Sequence, residues 1–341
     1  MRVGVYYSNS DVRVETRPKP AIGPGELLVK VMASGVCGSD VMEWYRKKKA
    51  PIVLGHEISG EIVEVGAGVS AYKRGDRVFV SHHVPCNTCK YCLAGNHTVC
   101  NTLHTTNFDP GGFSEYLRVP QLNVDRGVFV LPDEVSYAQG TFIEPLACVL
   151  RAQRKASAPI GSTVIVLGAG ISGLLHIALA KALGAGRIIA TDISEARLAH
   201  ALNFGADHVF DARQDVPALL RQVNDGKAAD LVLVCTGALS AFMQGILCVE
   251  RGATFVVFAP TDPGITLPVP VNDFWRNGIT ITHAYGAGPL DIEQALTLIR
   301  FRRVLVDRMI THQFGLNQIQ KAFDLVAGGG DSIKVIIEPQ K

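Results

Sequence analysis

No run in this chain approaches the roughly 18 consecutive apolar residues that a membrane-spanning helix requires. The opening M-R-V-G-V-Y-Y reads as a first strand and lacks the apolar core of a secretory leader. Charge of one sign is missing too. The 33 Lys and Arg stand against 31 Asp and Glu, a formal net charge of +2, so the whole-chain balance favours neither a nucleic acid nor a membrane as partner. There is no internal repeat and no low-complexity tract. These absences leave a cytoplasmic location as the expectation. The chain does have packing material. With 341 residues, 48% of them hydrophobic and 19% charged, it exceeds one comfortable core, so two domains are expected.

Disulfides are a poor account of the eight cysteines in a long chain with no leader. Cys86, Cys89, Cys92 and Cys100 crowd into C-x2-C-x2-C-x7-C, whereas Cys37, Cys148, Cys235 and Cys248 are scattered. Four thiolates suit a closed tetrahedral zinc site that stabilises a loop with little core of its own. Iron–sulfur runs of the C-x2-C-x2-C kind usually reach a fourth Cys after three residues and then Pro. Here the gap is seven and no Pro follows, so structural zinc is the reading.

The texture of the chain changes near Gly161. Before about residue 140, short strands alternate with Gly and Pro turns, as in Glu26–Ala33, Gly60–Val65 and Arg77–Ser81, which suggests an all-β, barrel-like domain. After it, strands near Thr163–Leu167, Arg187–Thr191, His208–Phe210, Asp230–Cys235, Ala253–Phe258 and Gly278–His283 alternate with helical patterns. Six such strands make a complete parallel dinucleotide fold. Two helices, Ile292–Phe301 and Gln318–Val326, and a strand Ile333–Glu338 close the chain.

The stretch Leu54–Gly66 sets His56 beside Glu57, with Gly55 and Gly60 close by. Cys37 lies nineteen residues upstream in V-C-G-S-D, and Glu144 follows in F-I-E-P-L-A-C. A catalytic zinc takes about three protein ligands of thiolate, imidazole and carboxylate type and keeps a position open. Cys37, His56 and Glu57 or Glu144 supply that set. A buried thiol near a capping His-Glu pair is the plainer alternative.

Val164–Gly173 reads V-I-V-L-G-A-G-I-S-G, a G-x-G-x-x-G turn directly after a buried strand. Gly168, Gly170, Ile171, Ser172 and Gly173 are the candidate pyrophosphate contacts, at the positive end of the helix that follows. Asp192 ends the next strand, where a carboxylate hydrogen-bonds ribose hydroxyls and repels a 2′-phosphate, so NAD is expected over NADP. Arg197, one turn further, is a candidate for the adenine face.

In this order, V-C-G-S-D, G-H-E-x2-G-x5-G, the four-cysteine lobe, G-G-F-S-E-Y at Gly111–Tyr116, E-P-L and G-x-G-x-x-G span almost the whole chain. Together they resemble the zinc-dependent medium-chain dehydrogenases, in the sorbitol and threonine dehydrogenase branch. The resemblance implies an α/β chain with a GroES-like β-rich catalytic domain from residues 1–145 and 287–341, including the zinc lobe 86–100. A Rossmann NAD domain would fill residues 146–286. It implies two Zn2+ per chain, with Cys37, His56 and a carboxylate (Glu57 or Glu144) at the catalytic ion. Ser39 would be the proton-relay hydroxyl, and Lys334 a basic residue near the pyrophosphate. The activity implied is oxidation of a secondary alcohol of a polyol, sugar acid or hydroxy amino acid, in a homodimer or homotetramer.

Two departures stand out. Met42 occupies the place where many relatives carry a relay His, leaving Ser39 with ribose and water, or another base such as His82 or His83, to pass the proton on. Arg46–Lys49 forms an R-K-K-K run. It is read first as a solvated face, and alternatively as a recruiter of a phosphorylated or CoA-linked alcohol. A zinc-lobe binding protein without chemistry is the remaining rival.

Overall fold

The computed structural model of the chain describes residues 1–341, which divide into two compact units, Met1–Ala147 with Ala287–Lys341, and Cys148–Gly286. The first unit is built around the strand Leu27–Gly35, buried along most of its length. A central strand covered on both faces reads as a continuous apolar run rather than an alternation. It pairs antiparallel with Glu57–Val65, Tyr116–Val119 and Lys334–Glu338. From edge to edge the sheet runs Ile310–Gly315, Lys334–Glu338, Leu27–Gly35, Glu57–Val65, Arg77–Ser81 and Val128–Val130. Ile336, Gly35, Glu57 and Ser81 stand opposite one another as a row across four adjacent strands. The strand expected from Gly60 thus begins at Glu57, because pairing to Gly35 continues to that residue.

Two buried clusters hold this unit together. One gathers Val29, Val31, Ile58, Ile62, Val78 and Val80. The other gathers Val3, Val5, Leu54, Phe113, Phe323, Val335 and Ile337 around a small sheet of Asp11–Thr16, Arg2–Ser8 and Ile52–Val53. Each such side chain contributes roughly 1.5–3 kcal/mol through burial.

The second unit is a six-stranded parallel sheet in the order His208–Asp211, Arg187–Asp192, Thr163–Leu167, Ala229–Val234, Val249–Val257 and Thr280–His283. This is the Rossmann-type sheet expected. Thr163–Leu167 is buried at every position, as a strand covered by helices on both faces should be. The chain leaves it for Arg187–Asp192 on one side and later returns to Ala229–Val234 on the other. Ligands of open α/β sheets bind outside the strand ends at such a reversal. Ser194 caps the helix Glu195–Phe204, its hydroxyl accepting from the Arg197 N–H at 3.4 Å, and Gly205 ends that helix in the left-handed region. No helix of the protein is long and apolar enough to cross a membrane.

Candidate metal centres and nucleotide-binding turn

Cys37 follows the central strand and caps a short 3-10 turn, Gly38–Val41. The Ser39 N–H points to Cys37 Sγ at 3.4 Å, and Asp40 reaches back so that its Oδ2 accepts from the Cys37 N–H at 3.1 Å. This reciprocal cap fixes the thiol at the strand end. The segment carrying His56 is clamped from the other side: Gly112 N–H donates to Gly55 O at 2.8 Å and Phe113 N–H to Leu54 O at 3.0 Å. G-H-E and G-G-F are therefore two halves of one backbone contact.

The ligand atoms of Cys37, His56 and Glu57 all lie within 4.8 Å of one another. Asp40, fully buried, stands 3.4 Å from His56 Nδ1. Burial disfavours the charged imidazole, but the charges of Asp40 and Cys37 outweigh that and raise the His56 pKa well above its ordinary value. Burial likewise pushes the Asp40 carboxyl up, and His56, Arg46 and the Cys37 N–H together bring it below the usual value. The pocket is arranged to hold positive charge. A thiolate, an imidazole steadied by a carboxylate, and a second carboxylate fit zinc. Glu144, in the first turn of the helix Ile143–Ala156, lies outside this three-residue cluster.

Glu57 has a second engagement that its sequence context did not announce. Its Oε2 meets Lys334 Nζ, and both side chains are 1% exposed. The Lys334 amine also lies 3.5 Å from Val36 O and 5.6 Å from the Phe142 ring centroid. Gly35 makes the meeting feasible, because a Cβ there would collide with the Glu57 carboxylate and the Lys334 stem. Lys334, which the resemblance sets near the pyrophosphate, sits inside the first unit with its amine on the Glu57 carboxylate. The cue was a lysine in an apolar strand, I-K-V-I, whose neighbours all point to burial.

Cys86, Cys89, Cys92 and Cys100 bring their sulfurs within 4.8 Å of one another, and no disulfide forms. The N–H groups of Thr88 and Cys89 point to Cys86 Sγ at 3.5 and 3.2 Å, and that of Cys86 to Cys100 Sγ at 3.4 Å. The Thr88 N–H and its companions hold the Cys86 thiol well below its ordinary pKa, favouring the thiolate. Apart from the cysteines, the buried core of this lobe is Leu103. So small a core calls for a metal, and the four sulfurs fit a closed zinc site.

In the second unit, Gly168 turns the chain at φ +98°, and the Ile171–Ala182 helix starts from Gly170. A Cβ at Gly173 would strike Gly168 O. Asp192 is nearly buried, with Oδ2 accepting from Ala169 N–H at 2.8 Å and Oδ1 from Ser194 N–H at 3.0 Å. It ties the glycine turn to the end of its own strand, and Ser194, not Asp192, is the helix cap. Each carboxylate oxygen retains acceptor capacity. Ile171, Ser172 and Arg197 occupy the first turns of their helices and are half-buried.

Ser39 meets a partner that the sequence did not single out for it. Arg46 Nη2 donates to its Oγ at 3.0 Å and Nε to its carbonyl oxygen at 2.9 Å. The R-K-K-K run is therefore not one patch. Arg46 turns inward with 14% of its side chain exposed, while Lys47, Lys48 and Lys49 face solvent. His82 lies between His56 and His83, its ring tilted against both at 4.9 and 3.9 Å between centroids, and burial drives its pKa well down.

A β-rich unit with a mixed Cys, His and carboxylate cluster and a four-thiolate lobe, joined to a parallel sheet with a glycine turn, defines a zinc- and nucleotide-using oxidoreductase. Residues 23–132 match the alcohol dehydrogenase GroES-like domain, and residues 172–300 the zinc-binding dehydrogenase domain. A sorbitol dehydrogenase of Gallus gallus is 31% identical, aligned over 98% of this chain and 95% of its own. A probable D-xylulose reductase A of Aspergillus fumigatus is 34% identical over 96% of this chain and 93% of its own. A putative zinc-binding dehydrogenase from Sinorhizobium meliloti, solved with NADP, superposes with a TM-score of 0.88 at 28% identity over 99% of both chains. The chain belongs to the zinc-dependent medium-chain dehydrogenases, in the sorbitol dehydrogenase branch.

Proposed function

We propose that the protein oxidises a secondary alcohol of a polyol or related hydroxy compound to the ketone, passing the hydride to NAD. The convergence of Cys37, His56 and Glu57, with the Ser39 N–H on Cys37 Sγ, carries this reading. The naming of relatives as sorbitol dehydrogenase and D-xylulose reductase supports the substrate class. Cys37, His56 and Glu57 would hold the catalytic zinc, with Glu144 as the further carboxylate; Cys86, Cys89, Cys92 and Cys100 would hold the structural one. When bound, the catalytic zinc supplies Lewis acidity toward an alcohol oxygen, and NAD supplies the hydride acceptor.

The chain's own residues do the rest. Asp40 orients His56 and the Cys37 thiolate. Ser39 Oγ accepts from Arg46, which leaves a lone pair to take the substrate's hydroxyl proton and one proton to pass on. Arg46 has donors only, so the proton leaves Ser39 in another direction. Gly168, Gly170, Ile171, Ser172 and Gly173 would cradle the pyrophosphate, and Asp192, already aligned by Ala169 and Ser194, would take ribose hydroxyls. The Sinorhizobium relative holds NADP, but a nearly buried carboxylate at Asp192 opposes a 2′-phosphate here.

The test is reduced-cofactor formation from sorbitol, xylitol, 2,3-butanediol and threonine, with NAD and with NADP, before and after zinc chelation. Chelator-sensitive turnover of one of these alcohols with NAD is expected. Turnover that survives complete loss of zinc would sink the reading.

A further inference from the structure

The inward turn of Arg46 gives the basic run a division of labour. Its Nε/Nη2 edge is spent within the turn, on the Ser39 carbonyl and hydroxyl at 2.9 and 3.0 Å and on Asp40 Oδ1 at 3.4 Å. Its plane lies over Tyr45, 4.7 Å from the ring centroid. These contacts lock a long side chain in one geometry. The other edge, Nη1, makes no hydrogen bond within the protein. Two N–H donors on an immobilised cation are thus presented one residue contact from Ser39, and Ser39 itself touches Cys37.

Nearby charge agrees. Arg46, Lys47, Lys48 and Lys49 stand against Asp40 and Glu43. Asp40 is shared by His56 and Arg46, and Glu43 reaches Lys47 only at an exposed 3.8 Å. Lys47 and Lys48, with Glu43 and Trp44, line an open cavity of about 430 Å³. Lys48 has no ion pair, and Lys49 lies 5.3 Å from the Tyr45 ring centroid. A rigid guanidinium binds carboxylate and phosphate oxygens with geometric selectivity, whereas mobile exposed lysines add only a screened field.

We propose that Arg46 is a specificity-determining residue that receives an anionic group of the substrate, a carboxylate or a phosphate, at its free Nη1 edge. This rests on the alcohol dehydrogenase reading of the site. A substrate whose reacting hydroxyl lies at Ser39 carries its neighbouring substituents past this guanidinium. Lys47 and Lys48 are outside the contact.

Sorbitol, gluconate and sorbitol 6-phosphate share a six-carbon chain and differ in charge, so they form the test set for kcat and KM on the zinc-loaded enzyme. The wild type should favour at least one of the two anions over sorbitol in kcat/KM by roughly 10-fold or more, and which one it favours identifies the anionic group. Arg46→Met should collapse that preference toward one, chiefly through a KM rise of roughly 10–100-fold for the anion. Because Arg46 also steadies Ser39, kcat should fall for every substrate, so the ratio between substrates is the readout. Arg46→Lys should restore part of the preference, and the double variant Lys47→Gln, Lys48→Gln should preserve it. A wild type that favours sorbitol, or a preference unchanged in Arg46→Met, overturns the proposal. If no alcohol turns over while zinc is bound, the dehydrogenase reading fails on its own. Calorimetric binding of gluconate and sorbitol 6-phosphate then decides the matter: weaker binding by Arg46→Met upholds the anion site, and equal binding overturns it.

Discussion

Glu57 and Lys334 form an ion pair with both side chains 1% exposed, across two strands that flank Gly35. An oxygen of the same carboxylate lies within 4.8 Å of the Cys37 and His56 ligand atoms, so one side chain meets a fixed internal cation and also borders the cluster. Lys334 thereby sets the direction in which Glu57 presents its oxygens.

Replacing Lys334 by Met leaves a buried carboxylate without its cation, a change that typically costs about 3–5 kcal/mol. The urea midpoint of Lys334→Met should fall steeply in the chelated protein and less when zinc is bound. The double variant Lys334→Met, Glu57→Gln should recover much of the loss. Equal midpoints for wild type and Lys334→Met would remove the pair from any structural role.

Asp40→Asn tests the brace behind the cluster. It keeps the size of the side chain but removes the charge that holds His56 and balances Arg46. Zinc affinity at the catalytic site should drop by about 10–100-fold, as loss of a ligand's outer partner commonly does. Competition with a chromogenic chelator measures it. Retention like that of the wild type would show that Asp40 serves the turn alone.

Cys89→Ser should reduce the zinc content from two ions per chain to one and open residues 86–100 to proteolysis, since the lobe has so little other core. The sheet of the second unit should keep its protection against hydrogen exchange. Two zincs in the variant would contradict the four-thiolate assignment.

A fourth prediction concerns pH. His176 is fully buried, and burial lowers its pKa from 6.5 to about 3. Gln153 donates to both its Nδ1, at 3.1 Å, and its carbonyl, at 2.8 Å, so the proton sits on Nε2, edge-on to Phe258. The folded state binds this proton less readily than the unfolded chain. The residue's contribution is therefore complete above pH 6.5 and is lost as pH falls toward 3, on the order of 5 kcal/mol in all. Denaturant midpoints taken from pH 7 to 4 should decline less steeply in His176→Leu, Gln153→Leu than in the wild type; parallel slopes would refute the assignment.

Features written in short spacing were legible from the sequence. The four cysteines, the Gly168–Gly173 turn and the G-H-E stretch each place their working atoms within a few residues, so spacing alone predicts the geometry. The Arg46–Ser39 contact was less legible, since a run of four cations gives no sign of which one turns inward. Asp40 was in plain sight in C-G-S-D, three residues after Cys37, at the distance a reciprocal cap requires. The Glu57–Lys334 pair was out of reach because 277 residues separate the partners. Only the sheet, by placing Lys334–Glu338 beside Leu27–Gly35, brings them together.

That strand order also fixes a timetable for biosynthesis. Lys334–Glu338 occupies the interior of the first unit's sheet, between Ile310–Gly315 and Leu27–Gly35, yet it leaves the ribosome last among these strands. At synthesis rates of about 5–20 residues per second, the nascent Glu57 waits on the order of tens of seconds for its cation. The intervening residues of the second unit are all available before then. The first strands to be made therefore belong to the unit that is completed last, and during that interval Ser34 and Gly35 wait for the strand that later pairs with them.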